Sequence, residues 1–223
     1  MGETIQLTAE DSHRLAGYRA TPSGTPRGGV VVIQEIFGVN SHIKKLCDSF
    51  AADGYVALAP ALFDRVERDY ATGYGPADIE RGRATRGKLS MDDVLKDTQA
   101  AINELKRAGR PVAVVGYCFG GTVAWLSATR LNGAAAAVGY YGGGVADAAE
   151  EQPKCPVMLH FGETDASIPK EHYEKVMKLH PKLPVFVYPA GHGFSCDERG
   201  SYHAPSAQQA RERTIEFLRK HVG

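Results

Sequence analysis

Six short apolar runs, Gly29 to Gln34, Tyr55 to Ala59, Val112 to Gly116, Ala134 to Tyr140, Val157 to Phe161 and Val185 to Tyr188, are separated by stretches of helical spacing. Strand alternating with helix specifies a mostly parallel central sheet with helices on both faces, an α/β fold. Helices are expected near Ser41 to Asp53, Phe119 to Arg130, Pro169 to Leu179 and Ser206 to Val222, the last with Ile215, Phe217 and Leu218 facing inward. Met91 to Ala108 carries Val94, Leu95, Ile102 and Leu105 at helical spacing, with Gly109 as a stop. Thr4 to Thr8 and Leu15 to Arg19 read as an antiparallel pair around a polar turn, Glu10 to Arg14. Ala61 to Ser90, rich in Arg, Gly and Asp, reads as one long irregular stretch. Loops of that length often carry function.

The 223 residues suffice for a single domain, 1–223, with its own core. Lys plus Arg and Asp plus Glu both number 26, so the balanced charge argues against a nucleic-acid partner. A local basic cluster, Arg81 to Lys88, could still hold a small anion. The opening residues lack the basic and apolar regions of a signal peptide, and no apolar run approaches the roughly 20 residues that span a bilayer. Four scattered cysteines (Cys47, Cys118, Cys155, Cys196) suit neither a disulfide scaffold nor a paired zinc site. A cytoplasmic protein with no membrane partner is expected, either a monomer or a weak homodimer.

"VVGYCFGGTVAW", Val114 to Trp125, places Cys118 between an apolar strand and a helical pattern. Gly116 and Gly120 complete the G-x-nucleophile-x-G spacing of a nucleophile elbow, here with sulfur as the reactive atom. A helix N-terminus at that point favours thiolate. The structural alternative is a buried cysteine packed as a small hydrophobe. The glycine frame favours the nucleophile, because only a tight strained turn needs such small neighbours.

A nucleophile needs a base, and the base needs an orienting group. Functional residues of parallel sheets gather beyond the carboxyl ends of the strands. "GETD" puts Asp165 past one strand and "PAGHGF" puts His192 past the next. Glu163 competes with Asp165, which lies farther past the strand end. The order Cys118, Asp165, His192 is the nucleophile–acid–base order of α/β-hydrolases. Glu35, at the end of a strand that should be buried, needs a partner or a task. Backbone N–H groups of Ile36 and Phe119 are the expected oxyanion hole. His13, His172, His180, His203 and His221 read as solvated. Neither a cofactor nor a metal is expected; a metal site from His192, Cys196 and His203 has irregular spacing.

"QEIFG", "GYCFGG", "GYYGG", "HFGETD" and "GHGF" together resemble the dienelactone hydrolase (carboxymethylenebutenolidase) family of the α/β-hydrolase fold. The resemblance runs from about Val30 to the C-terminus. It implies a catalytic triad of Cys118, His192 and Asp165, with Glu35 holding the resting thiol and helping to deprotonate it when substrate arrives. It also implies that Tyr141 and Phe37 line the substrate pocket. Well-known members have a serine after the triad histidine and an arginine a few residues on. Here those positions read Gly193 and, roughly, Cys196, and the nearest downstream arginine is Arg199. A second family arginine comes from the stretch around Arg81, Arg83 and Arg86, among which Arg81 is favoured.

Sulfur constrains the substrate. A thiolate leaves more readily than an alkoxide, so attack on an ordinary ester tends to revert. An enol lactone expels an enolate, which lets acylation proceed. The expectation is therefore hydrolysis of a dienelactone-like enol lactone to a ring-opened oxo acid. Two other readings are a broader carboxylesterase or thioesterase, and a redox sensor or binding protein in which Cys196 resolves an oxidised Cys118.

Overall fold

The computed structural model describes residues 2–223. Its strands are β1 (Glu3–Thr8), β2 (Arg14–Ala20), β3 (Gly29–Ile33), β4 (Val56–Pro60), β5 (Val112–Tyr117), β6 (Ala136–Tyr140), β7 (Val157–Gly162) and β8 (Val185–Tyr188). They form one sheet in the order β1-β2-β4-β3-β5-β6-β7-β8. The β1–β2 and β2–β4 pairs are antiparallel and all the others are parallel. Every residue of β3, β5, β6 and β7 is buried. Successive strand side chains point to opposite faces, so both faces of the central sheet must be covered.

The covering helices are α1 (Ser41–Ala52), α2 (Pro76–Arg86), α3 (Met91–Lys106), α4 (Phe119–Arg130), α5 (Lys170–Leu179) and α6 (Ala204–His221). Asn40 caps α1 by accepting from the Ile43 N–H, and Ser90 caps α3 by accepting from the Asp93 N–H at 3.1 Å. The buried face of α3 (Val94, Leu95, Ala101, Ile102, Leu105) recurs at helical spacing. Helix α6 is tied to the sheet by a buried polar chain. Thr214 meets the Tyr140 hydroxyl at 2.6 Å and His160 Nε2 at 3.1 Å, and His160 Nδ1 meets the Tyr188 hydroxyl at 2.9 Å. Burial pushes His160 down to about 3, so this ring serves the network as a neutral hydrogen-bonding group.

Ala61 to Ser90 departs from the irregular stretch expected from its composition. It contains a 3₁₀ turn, Leu62–Arg65, and the helix α2. Helix α2 buries only Gly82 and Thr85, so no apolar stripe betrays it in the sequence. Pro76 in its first turn and the Asp78 carboxylate, which accepts from the Gly75 N–H at 3.0 Å, start it instead. Arg65 anchors the segment. Its guanidinium grips both oxygens of the fully buried Asp97 on α3, at 2.7 and 2.8 Å. Gly82 then lets α2 sit against the Ile36 carbonyl, roofing the loop after β3.

The central strands end together on one edge, where β5 passes into α4 through Cys118. The crossing is tight. A Cβ on Gly116 would lie 1.8 Å from the Gly120 carbonyl oxygen, and one on Gly120 would lie 2.4 Å from the Ile33 carbonyl oxygen. Both clashes are with backbone, which no rotamer change relieves. Gly116→Ala is therefore expected to cost more than the roughly 1–3 kcal/mol typical of core overpacking. Urea unfolding measures this, and a loss below about 1 kcal/mol would show that the elbow can relax.

Candidate active site

Cys118 has φ 54° and ψ −116°, a left-handed conformation that L side chains rarely adopt. Its own N–H donates to the Tyr140 carbonyl at 3.0 Å, pinning the turn to the next strand. The turn places Sγ at the N-terminus of α4. Phe119 begins that helix, and its N–H, like that of Ile36, has no hydrogen-bond partner among the described residues. Free backbone donors, one at a helix N-terminus and one in the turn after β3, suit a developing oxyanion.

His192 lies in the loop after β8, with Gly193 beyond it at φ 78°. Its Nε2 is 3.1 Å from Cys118 Sγ, and its Nδ1 is 2.7 Å from Asp165 Oδ2. The Asp165 side chain is inaccessible to solvent, and its other oxygen accepts from the Ser167 N–H at 2.8 Å. These bonds fix both the carboxylate and the imidazole plane. Tyr141 braces the ring: the two rings meet edge-on at 5.2 Å, and the Tyr141 hydroxyl pairs with Ser195 Oγ at 2.7 Å. Tyr141 is itself left-handed (φ 38°) and fully buried, so it supports the imidazole from below. Burial opposes charge on His192, but the hydrogen bonds to Asp165 and Cys118 outweigh it and push the imidazole up to about 10.

Glu35 is 1% exposed at the end of β3, and its Oε1 accepts from Arg199 Nη1 at 3.0 Å. Its Oε2 has no partner among the described residues. The sulfur is thus held by His192, and Glu35 is held by Arg199, in contrast to the expected Glu35–thiol contact. The Arg199 guanidinium lies over the rings of Phe37 and Tyr74, 5.6 and 5.9 Å from their centroids. It also fills the space a side chain at position 193 would need, since a Cβ there would be 2.5 Å from Nη1.

The α2 arginines separate. Arg81 is half exposed, paired with Glu67 and stacked on Tyr70 at 5.0 Å. Arg83 is exposed. Arg86 lies 4.6 Å from the ring centroid of Phe119, next to Cys118, and donates to the Leu89 carbonyl. Among these, Arg86 approaches the elbow, which spacing alone did not distinguish. Tyr74 and Ser195 also join the site; both are ordinary polar loop residues in sequence. His180, expected to be solvated, is instead buried with Nε2 2.7 Å from the Ala149 carbonyl oxygen. His203 bonds Ser206 and His192 bonds Cys118, so neither turns to Cys196. Among the described residues no helix is long and apolar enough to cross a membrane.

A raised imidazole has a consequence for stability. A group whose folded pKa exceeds its unfolded value, about 6.5 for histidine, contributes stability that is complete below that value. The contribution is lost as pH rises through about 10. Urea unfolding between pH 6 and 10 is expected to show this decline. Asp165→Asn, which removes one of the two hydrogen bonds holding the proton, is expected to flatten it. Superimposable pH profiles for the two proteins would contradict the assignment.

Residues 15–222 match the dienelactone hydrolase family. A Synechocystis sp. protein provisionally named a carboxymethylenebutenolidase is 36% identical, over 96% of this chain and 95% of its own. The Pseudomonas putida protein named carboxymethylenebutenolidase is 32% identical, over 97% of this chain and 95% of its own. The crystal structure of a Klebsiella pneumoniae protein, provisionally named a dienelactone hydrolase, superposes with a TM-score of 0.85 at 29% identity, covering 98% of each chain. With its eight-stranded, mostly parallel sheet and this match over nearly its whole length, the chain is an ester-cleaving hydrolase of the α/β-hydrolase fold and belongs to the dienelactone hydrolase family.

Proposed function

We propose that this protein is a cysteine-dependent hydrolase of an enol lactone of the dienelactone type, acting through a thioester acyl-enzyme. The observation that carries the reading is the continuous chain from Asp165 through His192 to a sulfur held 3.1 Å from Nε2 on a left-handed turn. Sulfur gives up its proton to Glu35, freed when a substrate carboxylate takes Arg199, and attacks the lactone carbonyl beside the charged imidazole of His192. The carbonyl oxygen becomes an oxyanion facing the Ile36 and Phe119 amides. Collapse breaks the ring C–O bond, and the enolate leaves in place of the thiolate. The enolate takes up a proton as water attacks the thioester, and sulfur departs. Lactone plus one water yields the ring-opened oxo acid.

Arg199 is the candidate for a substrate carboxylate. It is a fork-shaped donor lying over the Phe37 and Tyr74 rings, close to Gly193 beside His192. Glu35 already occupies one of its nitrogens, and a substrate carboxylate would compete with Glu35 for it. Glu35, released with one oxygen already unpaired, would become the acceptor that draws the proton from Cys118. The same pairing favours a second reading, a broader carboxylesterase or thioesterase, if Arg199 never leaves Glu35.

Cys118→Ala is expected to abolish hydrolysis of enol lactones while the unfolding midpoint stays near wild type. Activity near wild type in that variant would move the nucleophile elsewhere, with Ser195 the first suspect. Arg199→Met is expected to raise KM for a carboxylated enol lactone about ten- to a hundredfold, the value of a charged hydrogen bond. KM for the methyl ester should change little. Equal effects on acid and ester would support the broader esterase. Because this change strands a buried carboxylate, a stability loss of about 3–5 kcal/mol is expected with it. Arg199→Met combined with Glu35→Gln should recover much of that stability without recovering selectivity.

A further inference from the structure

The turn beyond His192 carries a second cluster that the hydrolytic chemistry does not use. A ring nitrogen of His42, Cys196 Sγ and a carboxylate oxygen of Asp197 lie within 4.8 Å of one another. His42 stands in the first turn of α1 and is 3% exposed, while Cys196 is fully buried and unpaired with any other cysteine. His42 Nδ1 is 3.3 Å from Asp197 Oδ1, and His42 Nε2 is buried with no partner among the described residues. A buried imidazole nitrogen without a partner is costly. Asp197 is about half exposed, so the cluster reaches solvent on one side.

We propose that His42, Cys196 and Asp197 form a binding site for a zinc-class divalent cation. The donor set argues for that class. One imidazole nitrogen, one thiolate and one carboxylate make a mixed nitrogen, sulfur and oxygen site that suits a borderline-soft ion and does not suit calcium or magnesium, which take oxygen cages. Three protein ligands leave the fourth tetrahedral position for water. Bond lengths of about 2.0–2.3 Å place tetrahedral ligand atoms about 3.5 Å apart. The exposed Asp197 side chain has room to close the difference.

Access and charge fit as well. A cavity of about 380 Å³, lined by His42, Lys45, Ser195, Asp197, Tyr202 and Arg211 among others, opens onto two of the three ligands, His42 and Asp197. The two cations on its rim are already engaged, Lys45 with Glu198 and Arg211 with Asp53. The Cys196 thiol gives up its proton to solvent as the sulfur–metal bond forms. The ion would also clamp the turn that presents Arg199, since the Arg199 N–H donates to the Cys196 carbonyl at 3.1 Å.

Chelator-treated protein should be titrated with zinc against a chromophoric chelator, and with cobalt for its thiolate charge-transfer absorption. The expected result is one ion per chain in the wild type and equally in Cys118→Ala, with a rise in unfolding temperature on zinc addition. Cys196→Ala and His42→Asn should each lose the cobalt thiolate band or weaken zinc binding at least tenfold. If either fails to fold, Asp197→Asn, a change at an exposed side chain, carries the test and should weaken binding about tenfold. Loss of binding in Cys118→Ala would put the ion on Cys118 and His192 and overturn the proposal. Unchanged affinity in Asp197→Asn, or no saturable zinc binding by the wild type, would overturn it too.

Discussion

One strained residue organises this molecule. Holding Cys118 at φ 54° costs conformational energy that a lone turn would not sustain. The surrounding contacts over-determine it. The Cys118 N–H is held by the Tyr140 carbonyl, α4 begins at the next residue, and Gly116 and Gly120 allow backbone to touch backbone. Parallel pairing of β3, β5 and β6 brings Glu35, Cys118 and Tyr141 to one edge. Extending the sheet through β7 and β8 adds Asp165 and His192. The elbow is thus the point at which sheet register becomes site geometry.

Around it stand two buried charge systems that share a loop. Asp165 and His192 make one, and Glu35 and Arg199 make the other. His192 and Arg199 leave the same turn, and Tyr141 ties that turn to β6 through Ser195. Removing one partner from either pair leaves an uncompensated charge in a dry environment, which is why both are kept complete. The second system differs from the first in that Glu35 keeps an unpaired oxygen. One carboxylate of the site is thus saturated and the other is not.

The strands, most helices and the Cys118, Asp165, His192 order were legible in the sequence, for a physical reason. Buried parallel strands must be apolar on both faces, so their ends are visible as composition changes, and loop residues just beyond those ends can be picked out. The N-terminal antiparallel pair was equally plain, because its two runs flank a polar turn. Helix α2 was not legible. It buries only Gly82 and Thr85, and its stability comes from docking against the Ile36 loop. Periodicity reports burial along an element and is silent about an element that hardly buries anything.

Which side chains face one another lay beyond the sequence. That Arg199 takes Glu35 and occupies the space left by Gly193, that Arg86 comes to Phe119 while Arg81 turns to Glu67, and that His42 meets Cys196 are all contacts between residues far apart in the chain or on different elements. Hydrophobic patterning is a local property and determined the layers, the strand ends and the loops available for chemistry. Pairing of long, flexible charged side chains depends on distances set only when helices dock on the sheet. Tertiary structure alone decided those partners, because each buried charge takes the counter-charge that packing leaves within reach.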